Sequence, residues 1–214
     1  MSIPIDPKHW TKQSKSQSFL ISTDRSLLSL PAINAAFASD FIYWAASFPE
    51  DVLQGVINSS FCFGLYEKTT SSPPLDTTSS ARTESESEPE GQGQDQSQTH
   101  EAEAEAEAET ETVPAPALKQ IGFARLITDR YTFAYLTDVY VLPEYQGHGL
   151  GGWLLACVDE LLTPLPHLRW FMLRTGGERS VNSYRGRLGM DVLDNGDLGR
   201  GAVFMGKRGR GNMV

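Results

Sequence analysis

The chain has 214 residues, 40% of them hydrophobic, and its 18 basic and 27 acidic side chains give a formal charge of −9. Thirteen of those acids fall within residues 67–118, beside only Lys68 and Arg82, so the remainder, with 14 acidic and 16 basic residues, is close to neutral. That balance offers no basic field for nucleic acid, no apolar run approaches the about 20 residues that cross a bilayer, and the polar start through Ser18 is unlike a secretory leader; a soluble cytoplasmic or nuclear protein is expected.

Residues 1–15 are polar and are expected to be a flexible N-terminus. Phe19-Leu-Ile-Ser-Thr23 reads as a short strand. Asp24 or Ser26 is placed to cap a helix running to about Ser39, with Pro31 interrupting it or marking its first turn. Phe41-Ile-Tyr-Trp44 is aromatic and fits either core or a ligand pocket. Pro49-Glu-Asp-Val52 opens a helix, with proline at its first turn and acids at the positive end of its dipole. Ser60–Tyr66 is an apolar strand. Residues 67–118 are rich in Ser, Thr, Pro, Glu and Gln, and they lack the apolar surface needed to offset chain entropy. They are expected to be a disordered acidic insertion in a single folded domain spanning 16–206.

Residues 120–128 and 131–141 form strands that complete a meander with 60–66. Leu150, Leu154, Val158 and Leu161 or Leu162 line one face of a helix over 149–162. Trp170–Leu173 is an apolar, central strand, 180–188 a short helix, and 189–193 with 202–205 a closing hairpin. The end, 207–214, reads as a basic tail. The order is that of an α/β domain with a mixed sheet. Cys62 and Cys157 have no metal-type spacing and read as buried thiols; no metal is expected.

The richest segment is Asp138-Val-Tyr-Val-Leu-Pro-Glu-Tyr-Gln-Gly-His-Gly-Leu-Gly-Gly152: a strand, a glycine turn, then a helix. Glycines permit close backbone approach, and amides at a helix N-terminus favour an anion such as pyrophosphate. Gly147, Gly149 and Gly152 match the dinucleotide fingerprint G-x-G-x-x-G. Residues 142–146 separate them from the strand, however, and the preceding elements are a meander. No acid stands about 20 residues on, where a nicotinamide site places one for the ribose.

The run Val141-x-Pro-x-Tyr-Gln-Gly-x-Gly-x-Gly-x-x-Leu154 instead resembles the acyl-CoA signature of the GNAT N-acetyltransferase superfamily, with Gln146, Gly149 and Gly151 as its core. The element order and the segments Cys62–Tyr66, Gly122–Arg125 and Tyr135–Val141 extend the likeness over nearly all of the folded chain. The resemblance implies a GNAT fold whose sheet is mostly antiparallel, with a splayed central strand pair and helices on both faces. It implies acetyl transfer from acetyl-CoA to a small-molecule or peptide amine, in a monomer or homodimer. A catalytically silent acyl-CoA-binding module with an acidic interaction loop is the alternative.

Residue by residue, the resemblance places the pyrophosphate on Gln146, Gly147, His148, Gly149, Leu150, Gly151 and Gly152. The pantetheine arm lies along Val139, Tyr140 and Val141, and Asn182 contacts it or caps its helix. A backbone N–H near Val139 polarises the thioester. Tyr184 is the candidate acid, although four residues separate it from Gly189-Met190 where the family has three, which leaves Arg185 at the usual spacing. Asp138 is a candidate base, an amine-positioning group, or a carboxylate satisfied by backbone. Tyr135 and Tyr140 are candidates for a water relay. Tyr43, Trp44 and Tyr135 are the candidate acceptor contacts.

Overall fold

A computed structural model describes residues 1–14, 17–69, 117–193, 197, 199 and 201–210. Its strands are β1 (His9–Ser14), β2 (Gln17–Ser22), β3 (Phe61–Thr69), β4 (Ala117–Thr128), β5 (Phe133–Val141), β6 (Trp170–Thr175), β7 (Asp191–Val192) and β8 (Val203–Arg208). They form one sheet in the order β1-β2-β3-β4-β5-β6-β8-β7. All neighbours are antiparallel except β5 and β6. Among the described residues, no helix is long and apolar enough to cross a membrane.

Helices cover both faces. α1 (Leu30–Phe37) and α2 (Glu50–Asn58) bury Ile33, Phe37, Leu53 and Ile57 against Cys62, Phe123 and Tyr140. α3 (Leu150–Leu162) and α4 (Glu178–Leu188) cover the opposite face; Leu150, Leu154, Val158 and Leu161 meet Phe63, Leu136 and Phe171 there. The four-residue spacing in α3 therefore points its apolar stripe into the sheet. Both cysteines are free and buried, and burial pushes each thiol up to about 12. They are packing groups, since the reactive species is the thiolate.

Several boundaries differ from the sequence reading. The first segment is not a frayed end. β1 pairs with β2 from His9↔Ser22 to Ser14↔Gln17, and Ile3 is fully buried. Asp24 caps a short 3-10 turn at Arg25–Leu27, while the helix cap is Ser29, whose hydroxyl accepts from Ala32 N–H. Pro31 stands in the first turn of α1, where its missing N–H costs nothing. Lys207 and Arg208 belong to β8, and Lys207 pairs with Asp159 of α3. At the acidic segment, Glu67–Thr69 and Ala117–Leu118 are paired strand residues, so the boundaries move inward. Residues 70–116, on which the disorder expectation falls, and the tail 211–214 lie outside the described residues.

The ends of that segment meet as a hairpin: Thr69 pairs with Ala117, and Thr69 Oγ1 donates to the Ala117 carbonyl at 2.9 Å. Asn-Gly in place of residues 70–116 suits a two-residue connection of antiparallel strands. Such a chain is expected to melt no lower than the parent, because a shorter loop costs less closure entropy. A drop of more than about 10 °C would show that 70–116 contribute to the core.

Candidate active site

After β5, the chain makes a 3-10 turn at Pro143–Tyr145 and enters the glycine loop. Tyr145 anchors that turn: its hydroxyl donates to Glu67 at 2.6 Å and accepts from Lys119 at 3.1 Å. Gln146 Nε2 donates to the Val141 carbonyl at 2.9 Å, closing the loop onto the strand end. Gly147 and Gly149 have φ of 82° and 73°, a left-handed geometry that a side chain would strain. Gly149 is also the N-cap of α3, without a side-chain cap. The N–H groups of Leu150, Gly151 and Gly152 therefore point out of the helix end, free of intrahelical acceptors. A Cβ built on Gly152 would overlap the Arg187 guanidinium, which rests over the turn. Lys12 of β1 lies beside Gly149 with its ammonium over the Trp153 ring at 5.8 Å. Exposed amides, a helix dipole and two cations make a cradle for phosphate.

Next to the turn, the sheet opens. β5 and β6 pair from Phe133↔Trp170 to Leu136↔Leu173; beyond that β6 continues against β8 while β5 runs on without it. The divergence begins at a β-bulge. Phe123 faces Tyr140 and Arg125 faces Thr137, so β5 carries one extra residue. Asp138 sits there with φ of 53°, a conformation that aspartate tolerates better than most side chains. Its carboxylate accepts from Arg125 Nε at 2.7 Å, and both side chains are largely buried, at 16% and 12% exposure for Arg125 and Asp138. Arg125 also donates to Ser60 Oγ at 3.1 Å, tying the bulge to the start of β3.

Two cavities flank this opening. One, of 730 Å³, runs along Val139–Val141, the glycine turn and the inner face of α4. The other, of 370 Å³, is walled by Tyr135, Asp138, Arg174 and the Tyr43–Trp44 pair. Trp44, Val139, Ser180 and Tyr184 line both, so the two spaces meet there. Burial raises the Tyr184 phenol above its ordinary value. It therefore stays protonated through the neutral range and is able to donate.

The structure gathers most of the residues singled out from sequence, with exceptions. Val139, Tyr140, Val141, Gln146, Gly147, Leu150, Gly151 and Gly152 line the larger cavity, together with Gly149. His148 does not line it; its exposed ring turns back to the Tyr145 carbonyl at 3.3 Å. Asn182 lines neither cavity and faces Arg185 on the outer side of α4. Ser180, Ser183, Tyr184 and Arg187 face inward instead. Their three- and four-residue spacing is one helical face, which is the signal that would have excluded Asn182 and found Arg187. The Tyr140 ring is buried among Phe37, Phe41 and Phe123, so it is core rather than a water relay. Tyr43 and Trp44, 80% and 47% exposed, are at the cavity wall rather than in the core.

Residues 106–182 match the family profile of the acetyltransferase (GNAT) domain. A Gibberella zeae protein classed by name as an acetyltransferase is 40% identical over 169 residues, 79% of this chain and 76% of that one. The chain belongs to the GNAT acetyltransferase family. It is an acyltransferase, and its fold is that of the GNAT enzymes. A domain from Methanocaldococcus jannaschii superposes with a TM-score of 0.51 at 9% identity, covering 95% of this chain and 99% of that one. A Xanthomonas campestris protein assigned to the GNAT family is 27% identical, covering 78% and 82% of the two chains, with a TM-score of 0.48.

If the cradle at this GNAT glycine turn holds the coenzyme phosphates, Arg187→Gln is expected to weaken coenzyme A binding about tenfold, the loss of one charge-assisted contact. Gly152→Ala is expected to do the same by displacing that guanidinium. Calorimetric titration checks both; unchanged affinity in the two variants would remove Arg187 from the cofactor site.

Proposed function

We propose that this enzyme moves an acetyl group from acetyl-CoA directly to a primary amine, with both bound at once. The observation that carries this reading is the junction of the two cavities at Val139 and Tyr184. One cavity starts at a phosphate cradle; the other opens to solvent beside exposed aromatic residues. A donor and an acceptor entering from opposite sides would meet there, which favours transfer without a covalent enzyme step.

Each residue has a definite task in this reading. The amides of residues 147–152 and the side chains of Arg187 and Lys12 hold the phosphates. Gln146 shapes the loop and adds no charge. The backbone edge of Val139–Val141, left unpaired by β6, takes the pantetheine as an added strand. Acetyl-CoA supplies an activated acyl group as its thioester. The Val139 N–H stabilises negative charge on the carbonyl oxygen. Tyr184 donates a proton to the departing sulfur, and the protonated phenol matches that role. A primary ammonium, with a pKa near ~10, must lose a proton before attack. That proton leaves to water through the open mouth beside Tyr43 and Tyr135.

A catalytically silent module would be favoured if the spacing around Tyr184 carried its hydroxyl out of the site. α4 ends with Gly189 in a left-handed C-cap, φ 62°, and Tyr184 still faces the junction. α4 runs unbroken to that cap, whose N–H donates to the Arg185 carbonyl, and the place of the tyrosine at the junction gives no reason to disqualify it.

Two measurements test this assignment. Titration with acetyl-CoA should show binding, and an amine panel should release free thiol; binding without turnover on any amine would refute the transferase assignment of substrates. Tyr184→Phe should lower kcat about 100-fold with little change in acetyl-CoA affinity, as expected for loss of a general acid. The pH profile has a definite sign. The amine must be neutral, so the rate rises toward its pKa. The raised phenol remains protonated, so no descending limb should appear below about pH 10. A fall between pH 7 and 9 that Tyr184→Phe abolishes would mean that the phenol ionises there and is not so placed.

A further inference from the structure

The smaller cavity carries two charged side chains, Asp138 and Arg174, and their situations are opposite. Asp138 is already matched by Arg125 at 2.7 Å. Arg174 has no partner among the described residues. Register explains why it faces this space. Tyr135 is level with Met172 across the parallel pair, so both project from the same face of the sheet, and Arg174, two residues on, follows Met172. Arg125 and Thr137 are level with each other on that face as well. The cavity wall thus carries Asp138, neutralised by Arg125 from outside the lining, and one unmatched guanidinium. Gly176 and Ser180, at the start of α4, line the same space, where Glu178 in the first turn balances the positive end of the helix and leaves the Arg174 charge as the unmatched one.

An acceptor with only positive charge, such as a polyamine, leaves the Arg174 guanidinium unanswered here. One that carries an anionic group besides its amine does not. Asp138 retains acceptor capacity, since its other oxygen takes only a long 3.3 Å contact from Thr137; it can receive an ammonium beside the Val139–Tyr184 junction. Arg174 can receive a carboxylate in a two-point contact, the geometry a guanidinium suits best. Tyr43 and Trp44 stand edge to face, with centroids 5.0 Å apart, and offer an aromatic corner against which an apolar side chain can pack. The 370 Å³ volume is enough for one small molecule with a ring.

We infer that the acceptor is a free α-amino acid with an aromatic or bulky apolar side chain, and that Arg174 is the specificity-determining residue that reads its carboxylate. This deepens the acetyl-transfer reading above and rests on it. The reaction balances as R-NH3+ plus acetyl-CoA giving the N-acetyl amino acid, coenzyme A thiol and one proton released to water. The thioester C–S bond breaks and the amide C–N bond forms.

The test compares each amino acid with its decarboxylated partner: L-tryptophan with tryptamine, and L-phenylalanine with phenethylamine. The full-length chain is used, first saturated with coenzyme A for calorimetric binding, then with acetyl-CoA for turnover. Amino acids should bind and react at least about tenfold better than their partners, the scale of one charge-assisted contact. Arg174→Gln should remove that preference by raising KM for the amino acid alone, and Arg174→Lys should restore part of it. Equal or better binding of the decarboxylated amines would overturn the inference. So would an Arg174→Gln loss shared equally by both partners. Failure of the transfer reading looks different: amino-acid binding without thiol release on any acceptor.

Discussion

The Arg125–Asp138 ion pair holds the feature on which the rest of the site depends. A β-bulge with a non-glycine residue at φ of 53° is not a resting geometry for a strand. Left-handed backbone costs an L-residue about 1–2 kcal/mol. A hydrogen bond between charged groups contributes about 1.5–3 kcal/mol net, and both partners here are largely shielded from water. The second figure is large enough to offset the first, so the pair stabilises a bend the chain alone would resist. Beyond Leu136, β5 stays paired with β4 but no longer with β6, and that gap is the cleft. Asp138 is thus first a structural anion, already engaged by Arg125, and in the proposed reaction only secondarily a contact for the acceptor.

Around the gap, both faces of the sheet contribute. α3 brings its amino end and the glycine turn to the phosphate side, and α4 lays Ser180, Ser183, Tyr184 and Arg187 along the opposite wall. From the other face, the Phe41–Trp44 loop after α1 reaches the same junction: Phe41 lines the larger cavity, Tyr43 the smaller, and Trp44 both. In the proposed mechanism, substituting a core residue beneath α4, such as Val181 or Leu188, would therefore act on chemistry through the position of Tyr184. The glycine turn is fixed independently, by the Glu67–Tyr145–Lys119 contacts and the Gln146 bond to Val141. One part of the site rests on hydrogen bonds between loop and strand; the other rests on helix packing.

Much of this was legible in the chain because its signals are local. The four-residue stripe of α3, the proline and acids opening α2, and the glycine turn each carry their cause within a few residues. What escaped depended on pairing at a distance. β1 is only His-Trp-Thr-Lys-Gln-Ser, half exposed, and its strand character comes from lying against β2; with it went Lys12. Asp138 could be singled out, but its partner Arg125 is set by register across a bulge that no short window reveals. Arg174 lies just past the apolar run Trp170–Leu173, and nothing local shows that a parallel neighbour carries it into a cavity. Asn182 was a different kind of miss, because the helical spacing that turns it outward was available in the sequence.

The central claim is that donor and acceptor meet where Val139 and Tyr184 line both cavities. The most direct measurement is a crystal structure of the protein with acetyl-CoA bound. The account predicts phosphates on the amides of residues 147–152, the thioester carbonyl accepting from Val139 N–H, and the Tyr184 hydroxyl within about 3.5 Å of the sulfur. An acyl group lying away from that junction, with Tyr184 still packed in place and out of reach, would contradict it.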